Sequence, residues 1–362
     1  MTTFPNTEVT PAAAYELLDG EKPNIWYTAA NGVSRYYLDG PMAPMPGIQD
    51  GIVLVDGLQG LIPDFDSITL KAARQDGHTW TASDYKAGAM TMKLQAHART
   101  AAGLSTVTSE WFGSWDPRKP GKLEYWTLDH GYWWHSARLA PGSYSDNYTV
   151  QPRVIRQQDI TQKISNAIAF WSGVPSTDVF PEFGAAWTGS GSGFLTLQNI
   201  GDQDGYPSIL FYAGTSDGAT LQFSNGPAAG TSTMISFGPL KAGQVALITT
   251  LPRLRGVVDL TPNTSSLPPT PSNTLLKFLS DMVADASYNS GAPMLAQYES
   301  AFGALPTQGD LYQLLSGFYT NPFPGVATPS LASPDYLAVS ITGGNSATKV
   351  IGTIVPLKVS PE

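Results

Sequence analysis

The chain has four histidines, His78, His97, His130 and His135. His78 follows an Asp76-Gly77 turn, His97 sits on the polar side of an alternating strand, and His130 lies in a hairpin turn. His135 ends the run Trp133-Trp134-His135. No two have the close spacing of a metal pair such as His-Glu-x-x-His, so neither a metal centre nor imidazole catalysis is expected. The carboxylates come next. Asp64 and Asp66 flank Phe65 in a loop. Asp202-x-Asp204-Gly205 is a fragment of a calcium loop without the later bidentate acid, and it reads as a solvated turn. Glu110, Asp116, Glu124 and Glu182 lie near aromatics and are the candidates for a glycoside-hydrolase pair, which needs two carboxylates across a cleft. Gly189-Ser-Gly-Ser-Gly193 lacks the strand-to-helix setting of a nucleophile elbow and the lysine of a phosphate loop, so it reads as a flexible turn. No catalytic, cofactor-binding or metal residue is expected, and no cofactor.

The aromatic residues have two readings. Trp111, Trp115, Trp126, Trp133 and Trp134 could stack on sugar rings, or fill a β core and a subunit interface. Most fall in expected strands, which favours core and interface. Composition points the same way. Only 14% of the 362 residues are charged, against about 25% in an average protein. Aromatics are plentiful: 9 Trp, 16 Tyr and 14 Phe. Interface cores lose charge and gain aromatics, so this surface suits a subunit of an oligomer. The 36 Gly and 29 Pro imply many turns and short strands. A net charge of −9 argues against nucleic-acid recognition. No apolar run is long enough for a membrane span, and Met1–Glu8 has neither the basic start nor the apolar core of a signal peptide. With no cysteine, there is no disulfide framework and no thiolate chemistry.

The elements that position these residues are mostly strands. The organising stretch is Leu195–Gly214. Leu195 and Leu197 alternate with Thr196 and Gln198. A turn cluster of Asn199, Gly201, Asp202, Asp204 and Gly205 follows, then Pro207, a β-rich run Ile209–Tyr212 and a glycine stop. It reads as an early hairpin of an antiparallel sandwich, continued by Thr220–Ser224, Met234–Phe237 and Gln244–Thr249. Upstream, Pro11–Leu18 reads as a helix capped by Thr10. Asn24–Tyr27 and Ser34–Leu38 are short strands around Asn31-Gly32. Ile52–Val55, Ser67–Ala73 and Met90–Ala98 are strands. Leu104–Trp115 fits helix or strand. Lys122–Leu128 and Tyr132–Leu139 form a hairpin, and Thr149–Ile155 is a further strand. Ile160–Gly173 fits either type. Residues 173–187 read as a linker. After Pro262–Pro271 the chain turns helical at Leu275–Met282, Pro293–Phe302 and Gly309–Leu315. Tyr336–Ile341 and Lys349–Leu357 return to β as a terminal hairpin through Gly343-Gly344-Asn345 that completes the sandwich.

The order of motifs resembles the distal tail protein of long-tailed (siphovirus) bacteriophages. Gly57-Leu-Gln-Gly-Leu-Ile-Pro-Asp-Phe-Asp66 precedes a strand. Met90–Ala98 is followed by Phe112-Gly-Ser-Trp115, Pro120-Gly-Lys-Leu123 and Tyr132–Leu139, as in the family's belt domain. Asn199-x-Gly201-Asp202, Pro207, Gly214, Asn225-Gly226 and Gly243-Gln-Val245 are similar to its galectin-like domain. The likeness covers about residues 50–260 and, weakly, the last 25; actinobacteriophage minor tail proteins resemble this pattern with extra insertions. It favours strand for Ile160–Gly173. The expected fold is mainly β: an N-terminal extension (1–46), a ring-forming belt-like β domain (47–175), a galectin-like β-sandwich (176–260), a helical insertion (261–334) and closing strands of the sandwich (335–362).

The resemblance implies a non-enzymatic virion protein at the distal end of the tail, made in the host cytoplasm. Its expected partners are its own copies in a ring, typically a hexamer, the tail tube, hub or baseplate proteins, and receptor-binding proteins or host glycans. Two other readings stand beside it. One is a carbohydrate-binding tail module contacting the host envelope, with Trp187 as a candidate stacking residue. The other is a cell-wall glycoside hydrolase.

Overall fold

The computed structural model describes residues 22–71, 76–145, 151–166, 168–182, 185–227, 233–251, 256–261, 310–326 and 334–362. The fold is mainly β, with two α-helices among the described residues. It divides into two compact units, one of residues 1–172 with 358–362, the other of residues 173–357. The helices expected at Pro11–Leu18, Leu275–Met282 and Pro293–Phe302 lie outside the described residues. Of the one expected at Gly309–Leu315, Asp310–Leu314 is a 3-10 turn.

The first unit is built on one antiparallel sheet. Its strands are β1 (Asn24–Thr28), β2 (Arg35–Asp39), β3 (Gly51–Gln59), β6 (Ala89–His97), β7 (Gly121–Thr127), β8 (Gly131–Ser145) and β9 (Gln157–Ser165), in the order β2-β1-β7-β8-β9-β6-β3. A two-residue strand, β10 (Trp171–Ser172), pairs with β8 through Ser172 and Trp134. Between β3 and β6 the chain makes a separate two-stranded ribbon, β4 (Phe65–Leu70) with β5 (Thr79–Tyr85). Strands β1 and β2, expected in an extension, are thus integral to the main sheet. Asn31 shapes their turn: its Oδ1 accepts from the Val33 and Ser34 amides, and Gly32 takes φ +69°.

Helix α1 (Ala101–Gly113) settles the ambiguous 104–115 segment. Thr100 caps it, its side chain accepting from the Gly103 amide at 2.9 Å. Leu104, Val107 and Trp111 make its buried stripe at helical spacing. Trp111 reaches strands at distant places in the sheet. Its ring meets Tyr27 of β1 and Tyr36 of β2 edge-on, at 5.6 and 5.2 Å, and its Nε1 donates to Gln162 Oε1 of β9 at 2.9 Å. The concave face of the sheet therefore wraps the helix. Trp115, just beyond it, stacks on Tyr27 with ring centroids 3.9 Å apart. The strand expected at Thr149–Ile155 is corrected: Pro152–Ile155 is a short helix, α2, with proline at its first position, where a missing amide costs nothing.

The second unit is a sandwich of two five-stranded antiparallel sheets. One has β11 (Ser176–Phe180), β20 (Lys349–Ile354), β13 (Ser208–Tyr212), β16 (Val245–Thr249) and β17 (Gly256–Asp259), in that spatial order. The other has β12 (Gly191–Leu197), β19 (Asp335–Thr342), β14 (Ala219–Ser224), β15 (Met234–Leu240) and β18 (Leu315–Ser316). Leu195, Leu197, Phe211, Phe223, Phe237, Leu337 and Val350, drawn from both sheets, fill one core between them.

Four sequence expectations are corrected here. Leu195–Leu197 alternates as expected and Ile209–Tyr212 is a strand, buried throughout, but they form no hairpin, because β12 and β13 lie in opposite sheets. The last two strands are not a hairpin either: β19 pairs with β12 and β14, while β20 pairs with β11 and β13. Each is an interior strand of its sheet. Within the expected linker, Ser176–Phe180 is a strand paired along its length with β20. Gly191–Gly193, expected in a flexible turn, belongs to β12. A Cβ at Gly193 would meet the Phe180 ring at 2.2 Å, so glycine there makes room for an aromatic.

The connection from β12 to β13 is held by Asn199. Its Nδ2 faces the Gln203, Phe323 and Pro324 carbonyls at 2.8, 3.2 and 3.2 Å, and its Oδ1 accepts from the Gly201 amide. Gly205 and Phe323 exchange backbone hydrogen bonds beside it. Asn199→Ala should cost about 1–2 kcal/mol, since it removes the donor to the part-buried Gln203 and Pro324 carbonyls while Phe323 keeps the Gly205 amide. Urea unfolding of the variant checks this. A loss under about 0.5 kcal/mol would mean the loop holds itself without the clamp.

Candidate functional site

The residues singled out for chemistry do not converge. Of the histidines, His78 and His130 are exposed, whereas His97 and His135 are buried. His97 was expected on a polar strand face. Instead Ala96, His97 and Ala98 are consecutively buried where the chain turns toward α1. Desolvation lowers its pKa. His135 packs edge-on against Trp171 at 5.0 Å and contacts the Asn166 amide. Burial depresses its pKa to about 4, partly opposed by carbonyls of Ser136 and Ala169. It is a neutral core imidazole across the ordinary pH range.

The carboxylates are equally scattered. Asp64 and Asp66 share Lys86 at 3.3 and 2.8 Å on the exposed ribbon, which raises the lysine pKa. Asp202 accepts from the Gln203 side chain and Asp204 is exposed. Among the described residues no group of three or more His, Asp or Glu could hold a metal ion. Glu110 lies on α1, where its carbonyl accepts from Tyr36. Asp116 caps the Arg118 amide at 2.8 Å, a bond that lowers its pKa. Glu124 is buried on β7, accepting from Thr28 and from Tyr132 Oη, the latter at 2.6 Å. Glu182 belongs to the other unit, where its carbonyl accepts from buried Lys349.

Of the five tryptophans considered for stacking, Trp111, Trp115, Trp133 and Trp134 are buried, and Trp126 is partly covered. Trp187 packs onto the sandwich core, edge-on to Phe180 at 5.3 Å. A cross-strand row on the outer face of β2, β1, β7 and β8 joins Trp134 to Tyr37 and Trp26, which the sequence reading did not single out. The row is Tyr37, Trp26, Glu124 and Trp134, of which Tyr37 and Trp26 are partly exposed while Glu124 and Trp134 are buried; Trp26 stacks on Tyr132 at 6.0 Å and Lys122 lies over Trp134 at 4.8 Å. The odd–even alternation of Asn24–Thr28 was the signal, since Ile25 and Tyr27 take the inner face and leave Trp26 outside.

The exposed apolar surface of this unit is the β4–β5 ribbon. All of β4 and most of β5 is exposed, including Phe65, Ile68, Leu70 and Trp80. A two-stranded ribbon is marginal by itself in water, and its two edges carry unpaired backbone groups. The ribbon has the make-up of a place where proteins meet: exposed aromatic and aliphatic side chains with few charges.

No protein-family model matches the chain, and no curated protein matches it. Among solved structures, it is similar to the crystal structure of phage SPP1 Dit (gp 19.1), described as a paradigm of hub adsorption apparatus in phages infecting Gram-positive hosts. That likeness has a TM-score of 0.47 at 9% identity, over 93% of this chain and 99% of that one. The phage P2 baseplate in its activated conformation, with Ca and with Sr, gives 0.44 at 9% identity, over 92% of this chain and 98% of those. At these scores and this identity the likeness establishes neither family nor function.

Proposed function

We propose that this chain is a structural virion protein of a phage tail tip. Its copies form a ring, typically a hexamer, that joins the tail tube to a hub or baseplate and supports host-recognition proteins. The observation that carries the reading is the placement of the motif series. The Met90–Ala98, Pro120-Gly and Tyr132–Leu139 motifs fall in the first, wrapped-sheet unit. The Asn-x-Gly-Asp turn, the Pro-led strand and the Gly stop fall in the second, sandwich unit. That division matches the belt and galectin-like halves implied by the resemblance. The exposed ribbon supplies an apolar patch of the kind a ring contact buries. The reading assigns the protein no catalytic role and places it at the distal end of the tail.

Mass photometry and negative-stain imaging of the purified chain test this. The expected particle is a closed ring, alone or on addition of tail-tube or hub protein. A strict monomer under both conditions would sink the reading.

A further inference from the structure

We infer that the β4–β5 ribbon is an arm that docks on the α2 corner of a second copy of this chain. The inference rests on the ring reading above and names the contact that would build the ring.

The arm has one face suited to a specific partner. Register pairs Asp66 with Asp84, Ile68 with Ala82 and Leu70 with Thr79, so these six residues share a face. Ile68 is 49% exposed and Leu70 64% exposed. The two acids lie toward the base of the ribbon and the aliphatic residues toward its tip. Asp84 makes no ion pair among the described residues.

The α2 corner is its chemical complement. Arg153, Val154, Ile155 and Arg156 follow one another on a single turn, with Val154 72% and Ile155 51% exposed. Arg153 makes no ion pair among the described residues, and Arg156 donates to the Arg99 carbonyl at 2.7 Å. Val154 and Ile155 beside Arg153 thus complement Ile68 and Leu70 beside Asp84, Asp66 being held by Lys86 at 2.8 Å. Burial of the apolar residues would supply affinity, and the charge pairs would set register and exclude wrong partners.

The geometry makes the contact intermolecular. The arm leads into β6 at Ala89, which pairs with Ser165; α2 leads into β9 at Gln157, which pairs with His97 at the far end of β6. Eight strand steps at about 3.4 Å place the points where the arm and α2 join the sheet at opposite ends of the same strands, roughly 27 Å apart. An arm at one end and its complement at the other give a heterologous, head-to-tail contact, which propagates and closes if the rotation allows.

The chain has no cysteine, so cross-linking can be site-specific without further changes. Full-length Ile68→Cys and Val154→Cys proteins are mixed and treated with a short bismaleimide. The mixture should yield a covalent dimer, while each protein alone should yield none. In parallel, Asp84→Arg and Arg153→Asp should each weaken self-association about tenfold or more, and the double exchange should restore most of it. Unchanged tryptophan fluorescence and circular dichroism show that the variants are folded. Rings that form without the mixed cross-link and without a charge effect would overturn the docking while leaving the ring. A cross-link of Ile68→Cys to itself, or to added tail-tube protein instead of Val154→Cys, would also overturn it. A chain that stays monomeric throughout, even with its tail partners, would remove both readings.

Discussion

Replacing Trp111 with alanine should cost the first unit about 4–5 kcal/mol. The side chain is fully buried on α1 and sits among Tyr27, Tyr36 and Trp115, all within 5.6 Å ring to ring. Truncation opens a cavity that cannot collapse cheaply, because rings from β1, β2 and the end of α1 line it on three sides. It also strands Gln162, which is buried and loses the indole donor to its Oε1. A domain is usually stable by only about 5–15 kcal/mol, so this single change removes roughly a third or more of it. Trp111→Phe separates the two contributions: it keeps most of the ring packing and loses the hydrogen bond, at about 1–3 kcal/mol. Denaturant unfolding of both variants, followed by circular dichroism, is the measurement. A cost for Trp111→Ala under about 1 kcal/mol would show that the sheet does not depend on the helix it wraps.

Mild acid should destabilise the same unit through His135. The imidazole pKa falls from 6.5 in the unfolded chain to about 4 in the fold, chiefly because burial penalises the charged ring. The unfolded state therefore binds the proton more tightly. The neutral ring's contribution is fully present above pH 6.5, shrinks as pH drops below that, and is spent near pH 4. At about 1.4 kcal/mol per pH unit, His135 removes about 2 kcal/mol between pH 6.5 and 5, before most carboxylates titrate. Buried His97, whose pKa is lowered by the same cause, adds in the same direction. The chain supplies its own probe: eight of its nine tryptophans, all but Trp187, lie in the first unit. Urea midpoints by tryptophan fluorescence should fall across this pH interval. His135→Phe should start less stable, through the lost Asn166 contact, but show a much shallower slope. An unchanged slope in that variant would place the proton uptake elsewhere.

These two residues also mark how far the sequence could be read. Helix α1 was legible in principle: Thr100 before Leu104, Val107 and Trp111 is a cap followed by a helical stripe. The glycines and tryptophans around it obscured that signal. His97 misled because strand alternation says which side chains share a face, and not whether a later helix will cover the end of that face. The aromatic row through Trp26 and Tyr37 was hidden because a strand of five residues offers too few alternations to tell inside from outside. The exposed ribbon was read only as a strand at Ser67–Ala73, since nothing local says that no neighbour will pair with it.

The sequence by itself determined the class of the protein. Period-two alternation, turn glycines and prolines at strand ends specify a mainly β chain of many short strands. Leu195–Leu197, Ile209–Tyr212 and the 121–139 hairpin stand where that pattern put them. Tertiary structure alone decided which strands are neighbours. Leu195–Leu197 and Ile209–Tyr212 went to opposite sheets, and the final strands 335–342 and 349–354 went to the interior of each instead of closing an edge. The physical reason is that alternation fixes a strand's buried face through local side-chain geometry. Its partner is chosen by backbone hydrogen bonding and packing among segments more than a hundred residues apart, which no short window of sequence encodes.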